Sequence, residues 1–149
     1  MLLWRRLENE PKPVYSPTMP VSFDSITPGS NWTRNALAEL WSYKSFHAIA
    51  RGVVTPKGRN LLVLFVTEDK QEGLTQYADR LDGKTLHWEG EENHQNDERI
   101  ARSPRTNDEI HVFHRPRHHE PFTYLGRVIV TDARMRSNKP SEFVFELTA

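Results

Sequence analysis

Apolar residues in this chain fall into short clusters separated by polar stretches, and their spacing changes near residue 50. Ahead of that point, Ala36, Leu37, Leu40 and Trp41 recur at helical spacing behind Thr33, a suitable N-cap. The pattern predicts an amphipathic helix over Arg34–Trp41. A second helical turn is expected at Ser45–Ala50, stopped by Gly52. Beyond it the pattern becomes that of strands. Val53-Val54 and Leu61–Val66 are apolar runs parted by Thr-Pro-Lys-Gly-Arg-Asn, a turn signal. Thr85–Glu89 follows the turn dipeptide Asp82-Gly83, and Asp97–Arg102 suits one turn of helix. Glu109–Arg115, Thr123–Thr131 and Glu142–Leu147 complete the strands, the last placing Phe143, Phe145 and Leu147 on one face. Many short strands with two or three small helices predict an α+β domain built on a curved, partly closed sheet.

The first thirty residues break this pattern. Pro11, Pro13, Pro17, Pro20 and Pro28 exclude helix there, leaving an extended arm with one edge strand expected at Val21–Phe23. The expected organisation is an arm over 1–25 and one domain over 26–149, with no second domain after the last strand. A chain of 149 residues fits a single domain of ordinary size. No internal repeat or low-complexity tract is present.

Composition narrows the setting. Hydrophobic residues make up 36% of the chain, enough for a core despite a mean hydropathy of −0.71. No apolar run approaches the roughly 20 residues of a membrane span. The opening Met1-Leu-Leu-Trp-Arg-Arg has the reverse order of a signal peptide, so the expected compartment is the cytoplasm with no membrane partner. The absence of cysteine excludes disulfides, thiolate catalysis and cysteine-held zinc. Formal net charge is zero, which argues against a general nucleic-acid glue. The charge is nevertheless segregated. Residues 68–98 carry three basic residues against ten acids, whereas 99–119 carry five arginines against two acids and four of the seven histidines.

Most enzyme signatures are missing: there is no phosphate-binding glycine loop, no His-Glu-x-x-His and no Gly-x-Ser-x-Gly. His114, His118 and His119 offer imidazoles, but Pro116 interrupts them and they share no helix face, so neither a metal nor another cofactor is expected. His94, Asp97 and Glu98 can be drawn as a hydrolytic cluster, in a stretch with the composition of a surface loop. The aromatic residues say more. Tyr77-Ala-Asp79 sets a ring and a carboxylate on one side of an extended segment. Trp88-Glu89-Gly90-Glu91 ends a strand with a ring, two carboxylates and a glycine that allows close backbone approach. A ring beside a carboxylate suits an extruded nucleobase: the ring stacks, and the carboxylate accepts from an exocyclic amine such as that of cytosine.

Six segments in one order carry a resemblance. They are Leu64-Phe-Val-Thr67, Thr75-Gln-Tyr77-Ala-Asp79, Leu86-His-Trp88-Glu, Arg99-Ile100, Glu109-Ile-His-Val-Phe-His-Arg115 and Pro121-Phe-Thr-Tyr-Leu-Gly126. Together they resemble a bacterial domain of unknown function appended to restriction-type helicases and to some HNH nucleases. Trp32-Thr-Arg, Trp41-Ser-Tyr43 and Arg51-Gly-Val-Val-Thr-Pro-Lys-Gly58 resemble the segment that leads into it. The resemblance covers roughly residues 26–147. It implies a PUA-like β-barrel, akin to SRA, EVE and YTH domains, that reads a modified base in DNA. The base is expected to be a 5-modified cytosine, with cleavage left to a fused or associated nuclease or helicase. The chain itself has no HNH, PD-(D/E)xK, phospholipase-D-like or helicase motif.

On this reading Tyr77 and Trp88 wall the pocket, and Asp79 or Glu91 reads the polar edge of the base. If both rings are core instead, Trp41, Tyr43 and Phe46 become the wall candidates. Arg51, Arg99, Arg115 and Arg117 contact phosphates of double-stranded DNA. Two other readings stay open: an enzyme acting on nucleic acid or nucleotides through residues 89–98, and an RNA-binding or protein-interaction module on the same fold.

Overall fold

The computed structural model describes residues 21–69 and 79–148, which divide into two compact units. The described part of the first comprises residues 21–25 and Arg34–Ala50. Helix α1 (Arg34–Leu40) buries Leu37 and Ala38, as its apolar spacing requires. A 3-10 turn over Phe46–Ile49 follows, with the Ser45 hydroxyl accepting from the His47 N–H at 3.3 Å. Arg34 Nε donates to the Ile49 carbonyl at 3.0 Å and ties helix to turn. The strand expected at Val21–Phe23 does not form. Its Ser22 carbonyl accepts from the Trp41 indole at 3.1 Å, and Phe23 meets the Trp41 ring edge-on, so α1 rather than a strand is its neighbour.

The second unit spans Ile26–Thr33 and the chain from Arg51 onward. Its strands are β1 (Asn31–Trp32), β2 (Val53–Val54), β3 (Leu61–Asp69), β4 (Arg80–Asp82), β5 (Thr85–Glu89), β6 (Glu109–Arg117), β7 (Phe122–Arg134) and β8 (Glu142–Leu147). Helix α2 (Asp97–Arg102) and a 3-10 turn (Ser103–Arg105) separate β5 from β6. All eight strands form one mixed sheet in the order β2-β3-β6-β7-β8-β5-β4, with β1 added beside β7. Among the described residues only the β3–β6 pair is parallel, and the unit is α+β as the sequence predicts. Strands β1 and β4 were not foreseen: at two and three residues they are too short to show alternation.

The sheet is open. Its path ends in β2 and β4, which do not pair with each other among the described residues, so the curved, partly closed sheet expected from sequence stops short of a closed barrel. Strands of two and three residues offer little ladder with which to bridge the gap. The sheet is nevertheless strongly curled. Leu62, Leu64 and Val66 of β3 share one buried cluster with Leu86 and Trp88 of β5, although three strands lie between them. A flat sheet would hold β3 and β5 about 19 Å apart. Register shifts in β6–β7 and β7–β8 mark where the bending occurs. At the first of these, Val112 faces Gly126 while Phe113 faces Tyr124, which leaves Leu125 as the extra residue. Gly126, with φ of 104°, supplies the backbone conformation that the bulge needs.

The bulge also separates two apolar layers. Ile110, Val112, Val128, Val130, Phe143 and Phe145 face the concave side, where Ile100 of α2 joins them. Phe65, Phe113, Phe122 and Tyr124 pack on the opposite face. Strand β3 is buried on both faces, which is why its sequence is a continuous apolar run rather than an alternation. Among the described residues no helix is long and apolar enough to cross a membrane.

Candidate functional site

The curl leaves a cavity of about 470 Å³ between the two ends of the sheet. Gly52 and Phe65 line it from the β2–β3 side. Asp79 and the continuous segment Trp88-Glu89-Gly90-Glu91-Glu92-Asn93 line it from the β5 side. Three of the five base-binding residues expected from sequence, Asp79, Trp88 and Glu91, therefore meet in one hollow. Tyr77 lies outside the described residues. Tyr43 belongs to the first unit and is half-buried, its N–H donating to the Ala38 carbonyl at 2.8 Å.

Each wall residue is held from behind. Asp79 is 7% exposed, and its Oδ1 accepts from the Glu89 N–H at 2.8 Å, fixing the carboxylate at the end of the β4–β5 hairpin. Trp88 is 6% exposed and packs on Phe143 and Phe145 at centroid distances of 5.6 and 5.9 Å. It is a core residue that also lines the cavity, so wall and core are not alternatives here. Glu91 Oε1 accepts from Asn96 Nδ2 at 2.8 Å, which ties the wall to the approach to α2.

Gly90 serves a different purpose from the one its sequence setting suggests. A Cβ there would lie 2.9 Å from Asp97 Oδ1 and 3.2 Å from Phe143 Cε2. The close approach it permits is to the protein's own side chains, while its N–H donates to the Ser141 carbonyl at 2.8 Å. Behind it His94, with φ of 58°, sets Nδ1 at 2.7 Å from Asp97 Oδ2. The Asp97 side chain is 4% exposed, and its Oδ1 has no hydrogen-bond partner among the described residues. Of the three residues drawn as a cluster from sequence, His94 and Asp97 meet while Glu98 is exposed, and neither His94 nor Asp97 lines the cavity. Among the described residues no three His, Asp or Glu side chains gather as a metal site would need.

The lining is acidic. Asp79, Glu89, Glu91 and Glu92 supply four carboxylates, and among the described residues no Lys, Arg or His lines it. Such a hollow favours a ligand that presents donors or positive charge and repels phosphate.

The arginines expected to contact phosphate separate widely. Arg51 is exposed and adjoins Gly52 of the cavity wall. Arg99 forms a two-pronged pair with Asp108 at 3.0 and 2.9 Å and donates to the Arg59 carbonyl at 2.9 Å. That hydrogen bond raises the Arg99 pKa and holds the Asp108 carboxyl below its usual range. At the other end of β6, Arg115 donates to Thr67 Oγ1 at 2.8 Å and to the Glu120 carbonyl at 3.2 Å, with its guanidinium 4.2 Å over the Phe122 ring. Burial lowers the Arg115 pKa. Arg117 pairs with Glu120 at 3.1 Å in solvent. Arg99 and Arg117 are separated by the nine-residue length of β6, roughly 27 Å, and do not share a rim.

Sequence reasoning missed Phe65 and Gly52 as wall residues. Phe65 sits in an apolar run that reads as core throughout, so nothing in its sequence setting marks it as a wall residue. Comparison with models of known protein families gives no match, and comparison with curated proteins gives none.

Proposed function

We propose that this protein is a DNA-binding module that takes one modified base, a 5-modified cytosine, out of the duplex into the cavity beside Trp88. The fold on this reading is a variant of the PUA-like barrel, left open where the base enters. One observation carries the proposal: the Trp88 ring and a set of carboxylates line one hollow of about 470 Å³, within the range of about 300–1,000 Å³ typical of small-ligand sites. A carboxylate is the group that accepts from the N4 amine of cytosine. Asp79 is suited to this because its backbone hydrogen bond already fixes its orientation. The acidic lining keeps phosphate outside, so the base enters and the backbone stays at the surface. The Tyr77 segment joins β3 to Asp79, and its ring is the second stacking candidate.

In this role the module supplies the targeting part of a modification-dependent restriction system, with cleavage by a fused or associated nuclease or helicase. Extrusion costs a few kcal/mol, and stacking returns about 1–3 kcal/mol per base, so contacts outside the cavity must supply the rest. Titration of matched duplexes bearing cytosine, 5-methylcytosine or 5-hydroxymethylcytosine tests the reading. The wild type is expected to prefer one modified duplex, and Glu91→Gln or Asp79→Asn to weaken all three, since each carries the N4 amine that the carboxylate accepts from. Equal affinity for all three duplexes in the wild type overturns it.

The four lining carboxylates support a second reading, in which the ligand is a cationic group on a partner protein, such as a methylated ammonium against Trp88. Binding of a methyl-lysine peptide in preference to every duplex would favour it.

A further inference from the structure

A basic surface that the cavity does not include lies one short helix away. Helix α2 begins at Asp97, whose Oδ1 lies 2.9 Å from the Cβ position of the cavity residue Gly90. It ends five residues later at Arg102, and the 3-10 turn carries the chain on to Arg105. Arg99, on the same helix, clamps Asp108 and also holds the Arg59 carbonyl. This draws the β2–β3 turn, with Lys57 and Arg59, against the start of β6, where the Glu109 N–H also donates to the Asn60 carbonyl at 3.0 Å. Arg99 and Arg102 both act on Asp108, and the turn that carries Lys57 and Arg59 is held at the same end of β6. Asp108 is occupied by Arg99, and Glu98 is the exposed acid of α2. Lys57, Arg102 and Arg105 are exposed and make no ion pair or side-chain hydrogen bond among the described residues.

We propose that Lys57, Arg102 and Arg105 form the surface that holds the DNA backbone next to the extruded nucleotide. This inference rests on the base-pocket reading and names the phosphate contacts which that reading requires. The dimensions agree. Six helical residues span about 9 Å, and one strand of B-DNA carries a phosphate every 3.4 Å of axis. The surface thus begins roughly three phosphates from a base held in the cavity. An acidic hollow beside a cationic shelf divides the nucleotide by charge, with donors of the base inward and phosphates outward.

The test measures duplex affinity against salt for the wild type, for Lys57→Ala/Arg102→Ala/Arg105→Ala, and for Arg117→Ala. Binding to vesicles of phosphatidylserine serves as a second polyanion. Each phosphate contact contributes about 0.9 to the slope of log K against log salt. The triple variant is expected to lower the slope by about 2 to 3. It should weaken modified and unmodified duplexes by the same factor, leave their ratio unchanged and melt at the wild-type temperature. Arg117→Ala is expected to leave the slope alone. An unchanged slope in the triple variant, while the wild type still prefers modified DNA, overturns this inference and leaves the base pocket standing. A lowered slope with no preference in the wild type keeps the surface and overturns the pocket. A wild type that binds vesicles and no duplex overturns both.

Discussion

The two ends of β6 carry arginines that look alike in sequence and differ in what they do. At the C-terminal end, Arg115 is built in: Thr67, the Glu120 carbonyl and the Phe122 ring surround its guanidinium, and Arg117 answers Glu120. At the N-terminal end Arg99 is enclosed and takes Asp108, so among the described residues the side chains of Arg102 and Arg105 make no hydrogen bond to an acceptor. The difference lies in the local supply of oxygen acceptors, which charge counting cannot see. An arginine surrounded by acceptors supports the fold, whereas one facing water is available to a partner.

Substitutions should therefore sort by end, and the largest effect is expected at Arg115. Arg115→Ala removes two charge-assisted hydrogen bonds and a cation–π contact, a loss of about 2–3 kcal/mol in chemical denaturation. The slope of DNA affinity against salt should stay as it was. Arg102→Ala/Arg105→Ala is expected to show the mirror image, within about 0.5 kcal/mol of wild-type stability. A triple or double variant that unfolds, or an Arg115→Ala protein that melts normally, would erase the contrast.

Gly90→Ala comes next, since its Cβ would press on buried Asp97 and Phe143. Overpacking of this kind costs about 1–3 kcal/mol. A thermal melt reads it directly, and an unchanged midpoint would mean that the α2 junction yields freely. Asp108→Asn sharpens the comparison from the other side. It releases Arg99 to solvent, so the DNA salt slope should steepen by about 1 at a modest cost in stability.

The smallest effect concerns pH. On the convex face His111 Nδ1 lies 2.7 Å from the Tyr124 hydroxyl, and Nε2 lies 3.1 Å from Glu109 Oε1. Burial pushes Tyr124 up to about 12, so its hydroxyl remains a donor to a neutral imidazole whose other N–H donates to Glu109. Burial lowers the His111 pKa from 6.5, partly offset by Glu109. With the folded value below the unfolded one, the unfolded chain binds the extra proton first. The contribution is full above about pH 6.5 and is lost as pH falls through the folded pKa, by at most about 1.4 kcal/mol per pH unit. Denaturation from pH 7.5 to pH 5 should show this slope, and His111→Gln should remove its share.

Much of the fold was legible because its signals are local. Thr85–Glu89, Asp97–Arg102 and Glu142–Leu147 begin and end where alternation, charge and turn residues place them. Trp88, Asp79 and Glu91 were legible as a ring with carboxylates beside it. What was hidden depends on contacts between distant strands. The curl joins β3 to Trp88 in one cluster, Gly90 yields to Asp97, and Arg99 finds Asp108. The open end of the sheet was also hidden, since whether β2 and β4 pair depends on how the strands between them bend.

The central claim is that a modified base enters the cavity at Trp88, and the indole N–H resonance of that residue reports on it most directly. Assigned by its loss in Trp88→Phe, the signal should shift on adding a 5-methylcytosine duplex and move much less with the unmodified one. A Trp88 resonance indifferent to bound modified DNA, or a response confined to Trp41, would contradict the account.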